Sequence, residues 1–204
     1  NATLPPRSTL REKGSAAVFP VKSDMNQYET RTPQISATEP DWQREQITPG
    51  TWSPAKRLLK SIRDYQRLKE AGRLSSVLRG WATLRHRFWS AVTGADIPLN
   101  CRIGGGLILP HPNGVVIHPD AQVGPNCLIF QQVTLGTLQA GGTPIVGGHV
   151  EIGAGAKLLG AIHVGDHSIV GANAVVLKNV PAHHSAIGIP ARCQPTTRRE
   201  SAQI

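Results

Sequence analysis

The stretch LILPHPNGVVIHPD, Leu107 to Asp120, sets two histidines and three prolines inside an aliphatic run. Histidine is the side chain whose ordinary pKa lets it take or give a proton near neutrality, and its neutral form also binds metals. The chain carries 8 histidines and 3 cysteines. His149, His163 and His167 stand where solvent-facing corners are expected, and His183 and His184 fall in an expected closing loop. None of these forms a group with zinc-ligand spacing, so no metal is expected. For His111 the residues alone leave two readings open: a proton-transfer group, or a solvated side chain at a corner. Proline donates no ladder hydrogen bond and is kept out of sheet interiors. The elements that carry Pro110, His111 and Pro112 must therefore turn often.

The residues after Ile97 supply such elements. Aliphatics recur every sixth position at Ile97, Ile103, Leu109 and Val115, then, after a shift of two, at Ile117, Val123, Ile129 and Leu135. After a longer interruption the series resumes at Val146, Ile152, Leu158, Val164, Val170 and Val176. Small or aliphatic residues often follow four places on, as at Ala121, Cys127, Val133, Ala156 and Ala174. A helix repeats at 3.6 and a strand at 2, so a sustained six fits neither. It fits short strands joined by tight corners, three to a triangular coil, the coils stacked by parallel hydrogen bonding as a β-helix. Pro110, Pro112, Pro119 and Pro125 then sit at corners that need no ladder bond, and His111 projects from an edge.

The first half of the chain reads differently. Residues 1–50 are polar and without periodicity, which suggests an arm that is disordered or ordered by a partner. Ser53 and Pro54 open a helix with Leu58, Ile62, Tyr65 and Leu68 on one stripe, closed by Gly72. A second helix places Val77, Trp81, Leu84, Phe88 and Val92 on a stripe expected to pack on the repeat or on a neighbouring subunit, and stops at Gly94. The net charge of +9 lies mostly before the repeat, with 16 Lys and Arg against 9 Asp and Glu in residues 1–100. A solvated basic face is the expected reading; nucleic acid is not an expected partner, and membrane-surface contact of the basic helices is a disfavoured alternative. No apolar run approaches transmembrane length and the first residues have no apolar signal-like core, so a cytoplasmic location is expected. With three cysteines and no C-x-x-C pair, Cys101 and Cys127 inside the aliphatic pattern are expected as buried free thiols.

The motifs TGADIPLNCRIGGGLILPHPNGVVI, VTLG, IGAGAKLLG, VGANAVVLKNVP and IGIPAR, spread from about Trp81 to Arg192, resemble the hexapeptide-repeat acyltransferases, specifically the serine O-acetyltransferases and their close relatives. The resemblance implies an all-β repeat fold, a left-handed parallel β-helix with a short N-terminal helical segment and a C-terminal loop and tail. It also implies a homotrimer using acetyl-CoA as co-substrate. Residue by residue, it makes His111 the general base that takes a proton from the attacking hydroxyl, and Asp96 the carboxylate that orients the imidazole. Backbone amides near Gly136 are implied for the oxyanion, and Thr143 and His118 for the acceptor region. Ala154 and Ala172 are implied beside the pantetheine, and Arg192 with Lys178 near the CoA phosphates, Lys178 reading more readily as an ordinary repeat residue.

Three departures qualify what the resemblance implies. Pro110 replaces the family's acidic residue before the histidine. The loop TLQAGGTP is short, with Gly142 and Thr143 where the serine enzymes carry an Arg-His pair that grips the amino acid. The helical segment is short beside the family's larger helical domain, which pairs trimers into hexamers, so a trimer is expected. The expected reaction is O-acetylation of serine for cysteine biosynthesis. A sugar or polysaccharide hydroxyl is the alternative acceptor, and a non-catalytic β-helix scaffold is the alternative from another class. The terminal Ile204 matches the residue with which serine acetyltransferases enter cysteine synthase. The expected boundaries are an arm over 1–50, a helical segment over 51–94, the catalytic β-helix over 95–192 and a tail over 193–204.

Overall fold

All fourteen aliphatic anchors of the six-residue series are buried, from Ile97 at one end to Val176 at the other. Ala121, Cys127, Val133, Ala156 and Ala174 are fully buried beside them. Two inward side chains per turn of chain, separated by corners, give the three flat faces of a prism. The computed structural model describes residues 35–71 and 76–196, and within them the prism is a left-handed parallel β-helix.

Its first face stacks Val116–Ile117, Thr134–Gly136, Lys157–Leu159 and Val175–Val176, with Asp96 bridged to Val116 above them. The second face stacks Arg102–Ile103, Gln122–Val123, Ile145–Val146 and His163–Val164. The third stacks Leu128–Ile129, Glu151–Ile152, Ile169–Val170 and His184–Gly188, the last pairing antiparallel with Ala191–Pro195. The tail expected from residue 193 therefore begins later, because Cys193–Pro195 complete this closing hairpin. Burying each large aliphatic contributes on the order of 2 kcal/mol, and the parallel ladder satisfies the backbone between coils.

A regular coil advances eighteen residues, as from Val116 to Thr134 or Ile145 to His163. Two coils are longer. Arg102 pairs with Gln122, a gain of two residues taken up at the Pro110–Gly114 corner, and Gln122 pairs with Ile145, a gain of five taken up by the loop after Gly136. None of the four corner prolines lies in a strand.

The corners repeat one backbone trick. On the edge between the second and third faces, Gly106, Asn126, His149, His167 and His183 all have positive φ. At Gly106 a side chain is also excluded by space, since a Cβ would lie 2.1 Å from the Asn126 Oδ1. From Ile35 onward the chain is strapped to this edge, so the described part of the arm expected over 1–50 is ordered by the β-helix of its own chain. Asn126, 1% exposed, accepts from the Asp41 N–H at 2.8 Å and donates to the carbonyls of Ser36 and Glu39 at 2.8 and 2.7 Å. The strap ends in a 3-10 turn, Trp42–Glu45, where Glu45 pairs with Arg63 at 2.9 Å and accepts from the Leu107 N–H.

Helix α1 spans Pro54–Glu70 and buries Leu58, Leu59, Ser61 and Ile62, while Ser53 precedes it without making a side-chain cap. Gly72, expected to close it, lies outside the described residues. Helix α2 spans Ser76–Thr93, and its apolar stripe does not pack on the repeat, one of the two placements expected for it. Its buried residues are Ala82, Trp89 and Thr93, whereas Val77, Trp81, Leu84, Phe88 and Val92 are all exposed. The side carrying small Ala82 lies inward, His86 Nε2 lies 2.8 Å from the carbonyl of Ile97, and Arg85 pairs with Asp64 of α1.

Candidate active site

The edge between the third and first faces carries the residues of greatest interest. Its corners are stacked by backbone hydrogen bonds: Gly114 donates to the carbonyl of Gly94, Gln132 to that of Asn113, Gly155 to that of Gln131, and Asn173 to that of Ala154, at 2.8–2.9 Å. His111 is in the second of these corners, Ala154 in the fourth and Ala172 in the fifth. The candidate base and both candidate pantetheine contacts thus lie along one edge. His111 is exposed, and Ala154 and Ala172 have no side chain beyond Cβ to block a ligand laid against the backbone.

Asp96 enters the same end of the edge. Its N–H donates to the Val115 carbonyl at 2.8 Å and its own carbonyl accepts from Ile117 at 2.9 Å. With Ala95 and Ile97 buried on either side, the carboxylate faces outward on the first face, beside the corner that carries His111. Among the described residues no hydrogen bond or ion pair joins the two side chains.

The remaining candidates lie elsewhere. Gly136 ends a first-face strand, in register with Leu159, and its carbonyl accepts from Gly160 at 3.0 Å. Thr143 closes the loop that follows, donating through Oγ1 to the Asp120 carbonyl at 3.1 Å. His118 accepts at Nδ1 from the Asp120 N–H at 3.2 Å, with the Asp120 carboxylate 3.8 Å away. These three, with exposed Lys178, occupy the edge between the first and second faces, so one chain does not bring them to His111. Arg192 is exposed on the closing hairpin, opposite Ile187, whose side chain lies over the Gly171 corner at the far end of the His111 edge.

Two residues that sequence reasoning passed over belong to the His111 edge. Gln131 lies between the His111 and Ala154 corners, and its Oε1 is buried without a hydrogen-bond partner. Such a group costs about 1–3 kcal/mol unless something donates to it. Lys157 donates to the Gln132 carbonyl at 2.6 Å and to Thr134 Oγ1 at 3.1 Å, bracing the corner beneath His111. Lys157 is the sixth residue of the motif IGAGAKLLG and could have been singled out there; nothing in the sequence marks an orphaned amide oxygen.

Of the histidines expected at corners, His149 and His167 stand there, whereas His163 lies in a strand of the second face and His184 opens the closing strand; His149, His167 and His183 meet ring to ring along the strapped edge. Among the described residues no group of three or more His, Cys, Asp or Glu is arranged to hold a metal ion. Cys101 and Cys127 are buried free thiols and Cys193 is an exposed one. Burial, reinforced by Asp96 and Asp120, pushes the Cys101 thiol up to about 12, and burial pushes Cys127 up to about 11.

No protein-family model matches the chain. Curated relatives do. Serine acetyltransferases of Synechococcus elongatus and Mycobacterium tuberculosis are 44% identical over 104 residues and 45% identical over 106. That of Helicobacter pylori is 42% identical over 104. Each match takes in 50% of this chain, but 43%, 46% and 61% of the respective relative, so the chain spans about half the length of the relatives it matches. Among solved structures, serine acetyltransferase from Brucella abortus superposes with a TM-score of 0.61 at 35% identity, covering 70% of this chain and 57% of that one. The same enzyme in complex with coenzyme A gives 0.62 at 34% over 71% and 57%, and the soybean enzyme complexed with serine gives 0.60 at 35% over 69% and 57%. These relatives and structural neighbours carry one name, and over about half of its length this chain is similar in sequence to serine acetyltransferases.

Proposed function

We propose that the chain transfers an acetyl group from acetyl-CoA to the hydroxyl of serine, giving O-acetylserine for cysteine biosynthesis. The observation that carries this reading is the single edge on which His111, Ala154 and Ala172 are stacked, in a chain 42–45% identical over 104–106 residues to enzymes named for that reaction. His111 takes the proton from the serine hydroxyl as its oxygen attacks the thioester carbonyl carbon. The tetrahedral centre collapses with cleavage of the carbon–sulfur bond, and His111 returns the proton to the departing CoA thiolate. Asp96 orients the imidazole once the acceptor is bound; catalytic hydrogen bonds often tighten only in that complex. Ala154 and Ala172 line the pantetheine path, with Arg192 and Lys178 as phosphate contacts, and the orphaned Gln131 Oε1 accepts from a ligand donor.

A homotrimer is part of the proposal. Gly136, Thr143 and His118 lie on a different edge from His111, and a neighbouring prism set edge to edge would bring that second group against the first. Docking of Ile204 on cysteine synthase remains a proposal too, since Ile204 lies outside the described residues. No helix among the described residues is long and apolar enough to cross a membrane, and the proposed site of action is the cytoplasm.

A second reading rests on the loop after Gly136, which contains no charged side chain to grip an amino acid. A sugar hydroxyl would need none. Release of free CoA measured with serine, then with a panel of sugars, decides between the acceptors; CoA binding without turnover on any hydroxyl leaves the scaffold reading. His111→Ala is expected to lower turnover at least about 100-fold with CoA affinity unchanged, and a variant as fast as the parent removes the assigned base.

A further inference from the structure

The strapped edge carries an arrangement that transferase chemistry does not use. Its positive-φ corner residue is Gly106, then Asn126, then His149, His167 and His183 in three successive turns, with φ of 51°, 58° and 58°. This conformation favours glycine and asparagine, with histidine tolerated. Three consecutive histidines in it point to work done by the side chains. The rings form a ladder. His149 and His167 meet edge to face with centroids 5.0 Å apart, and His167 and His183 stack at 4.9 Å, 11° from parallel. The two Nδ1 atoms of His149 and His167 are 2.9 Å apart.

That contact is a hydrogen bond between ring nitrogens, so one Nδ1 carries a proton and the other must not. The bare lone pair faces the partner's N–H rather than a third point, which suits a shared proton and not a metal. We infer that the ladder is a proton-operated latch on the closing hairpin: one added proton is tolerated, and a second on the pair breaks it.

The ladder ends where the closing hairpin begins. His183 is the residue from which His184–Gly188 departs; its N–H donates to the Asp166 carbonyl and its carbonyl accepts from Thr196, each at 2.9 Å. Below the ladder is a cavity of about 90 Å³ lined by Glu151, Ser168, Ile169 and Thr196 with the three rings. Charged and titratable groups among the described residues stand near it. Glu151 and Asp166 favour the first added proton, although an Asp166 oxygen is engaged by the Gly148 N–H at 2.7 Å. Arg44 on the strap, whose charge acts on Glu151, opposes it. His184 turns its Nδ1 to the Ala182 carbonyl, 2.8 Å away, and Cys127 stays a neutral thiol. A carboxylate nearby cannot rescue two N–H groups that face each other, so the second proton parts the rings whatever the local field. With His167 displaced, His183 loses its stacking partner and the hairpin loosens.

The sign follows. The unfolded chain accepts a proton on every histidine near about pH 6.5, and the latched form refuses one, so the hairpin is held above that pH and released below it. Hydrogen exchange of hairpin amides, corrected for intrinsic rates, tests this at about pH 8 and about pH 5.5, on either side of the ordinary histidine range. Opening is expected to rise at least about tenfold in the parent between these values. His167→Asn keeps the corner conformation, as Asn126 and Asn173 do, and is expected to exchange at one rate at both; His149→Asn is a second variant with the same expectation. Equal protection of the parent at both pH values, or unchanged acid loosening in both variants, overturns the latch. Since Arg192 rides on this hairpin, CoA affinity in the same samples reports separately: a chain that binds no CoA at about pH 8 removes the proposed reaction and leaves the exchange result standing.

Discussion

At the scale of single residues, the site is a matter of what each backbone position leaves exposed. His111 projects because Pro110 and Pro112 hold its corner out of the ladder, and Asp96 projects because its neighbours on either side are buried. The same alternation hides Cys101 and Cys127, whose thiols burial keeps protonated to about 12 and about 11. A raised folded-state pKa means the folded chain retains protons that the unfolded chain gives up, so stability is lost as pH rises through the unfolded thiol range. Between about pH 9 and 11 each thiol should remove roughly 1 kcal/mol per pH unit. Denaturant melts across that range check it, and Cys101→Ala should flatten the slope. A thiol reagent at about pH 8 should modify exposed Cys193 alone in the native chain.

At the scale of elements, the strap and α2 show how a local pattern acquires its meaning from what lies beside it. Residues 35–46 have no periodicity, yet Asn126 holds them with three side-chain hydrogen bonds reached across the prism edge. Asn126→Gly keeps the corner conformation and removes only those bonds. It is expected to cost about 3 kcal/mol, near 1 for each lost bond, read by denaturant midpoint, and to free the Asp41 amide to exchange. In α2 the apolar stripe follows from helical spacing, but spacing alone carries no information about which side α1 will cover. Small Ala82 and the bond from His86 to Ile97 decide that, leaving Trp81 at 67% and Leu84 at 58% exposure.

At the scale of the whole molecule, that stripe and the divided site both bear on the proposed trimer. Exposed apolar surface can mark an interface, and in the proposed trimer the groups on the His118 edge of one chain would meet the His111 edge of another. Light scattering is expected to give about three times the 21.9 kDa chain mass, and Trp81→Ser with Phe88→Ser is expected to shift the species toward smaller assemblies and to lower turnover with it. A monomeric parent with full activity would remove the trimer.

The six-residue period by itself determined the β-helix, the buried anchors and the corners, because inward and outward positions are dictated by short-range geometry that repeats along the chain. The motifs around His111 and Asp96 pointed to a reaction only through their resemblance to the serine O-acetyltransferases. Only the tertiary structure decided that His118, Gly136 and Thr143 stand on another edge, that α2 turns its apolar stripe outward, that residues from Ile35 are strapped down, and that His149, His167 and His183 touch. Each of these depends on how many residues a coil takes to return to the same face, eighteen, twenty or twenty-three, and on what packs against it. Those are long-range facts, set by the summed lengths of intervening corners rather than by any residue's own neighbours.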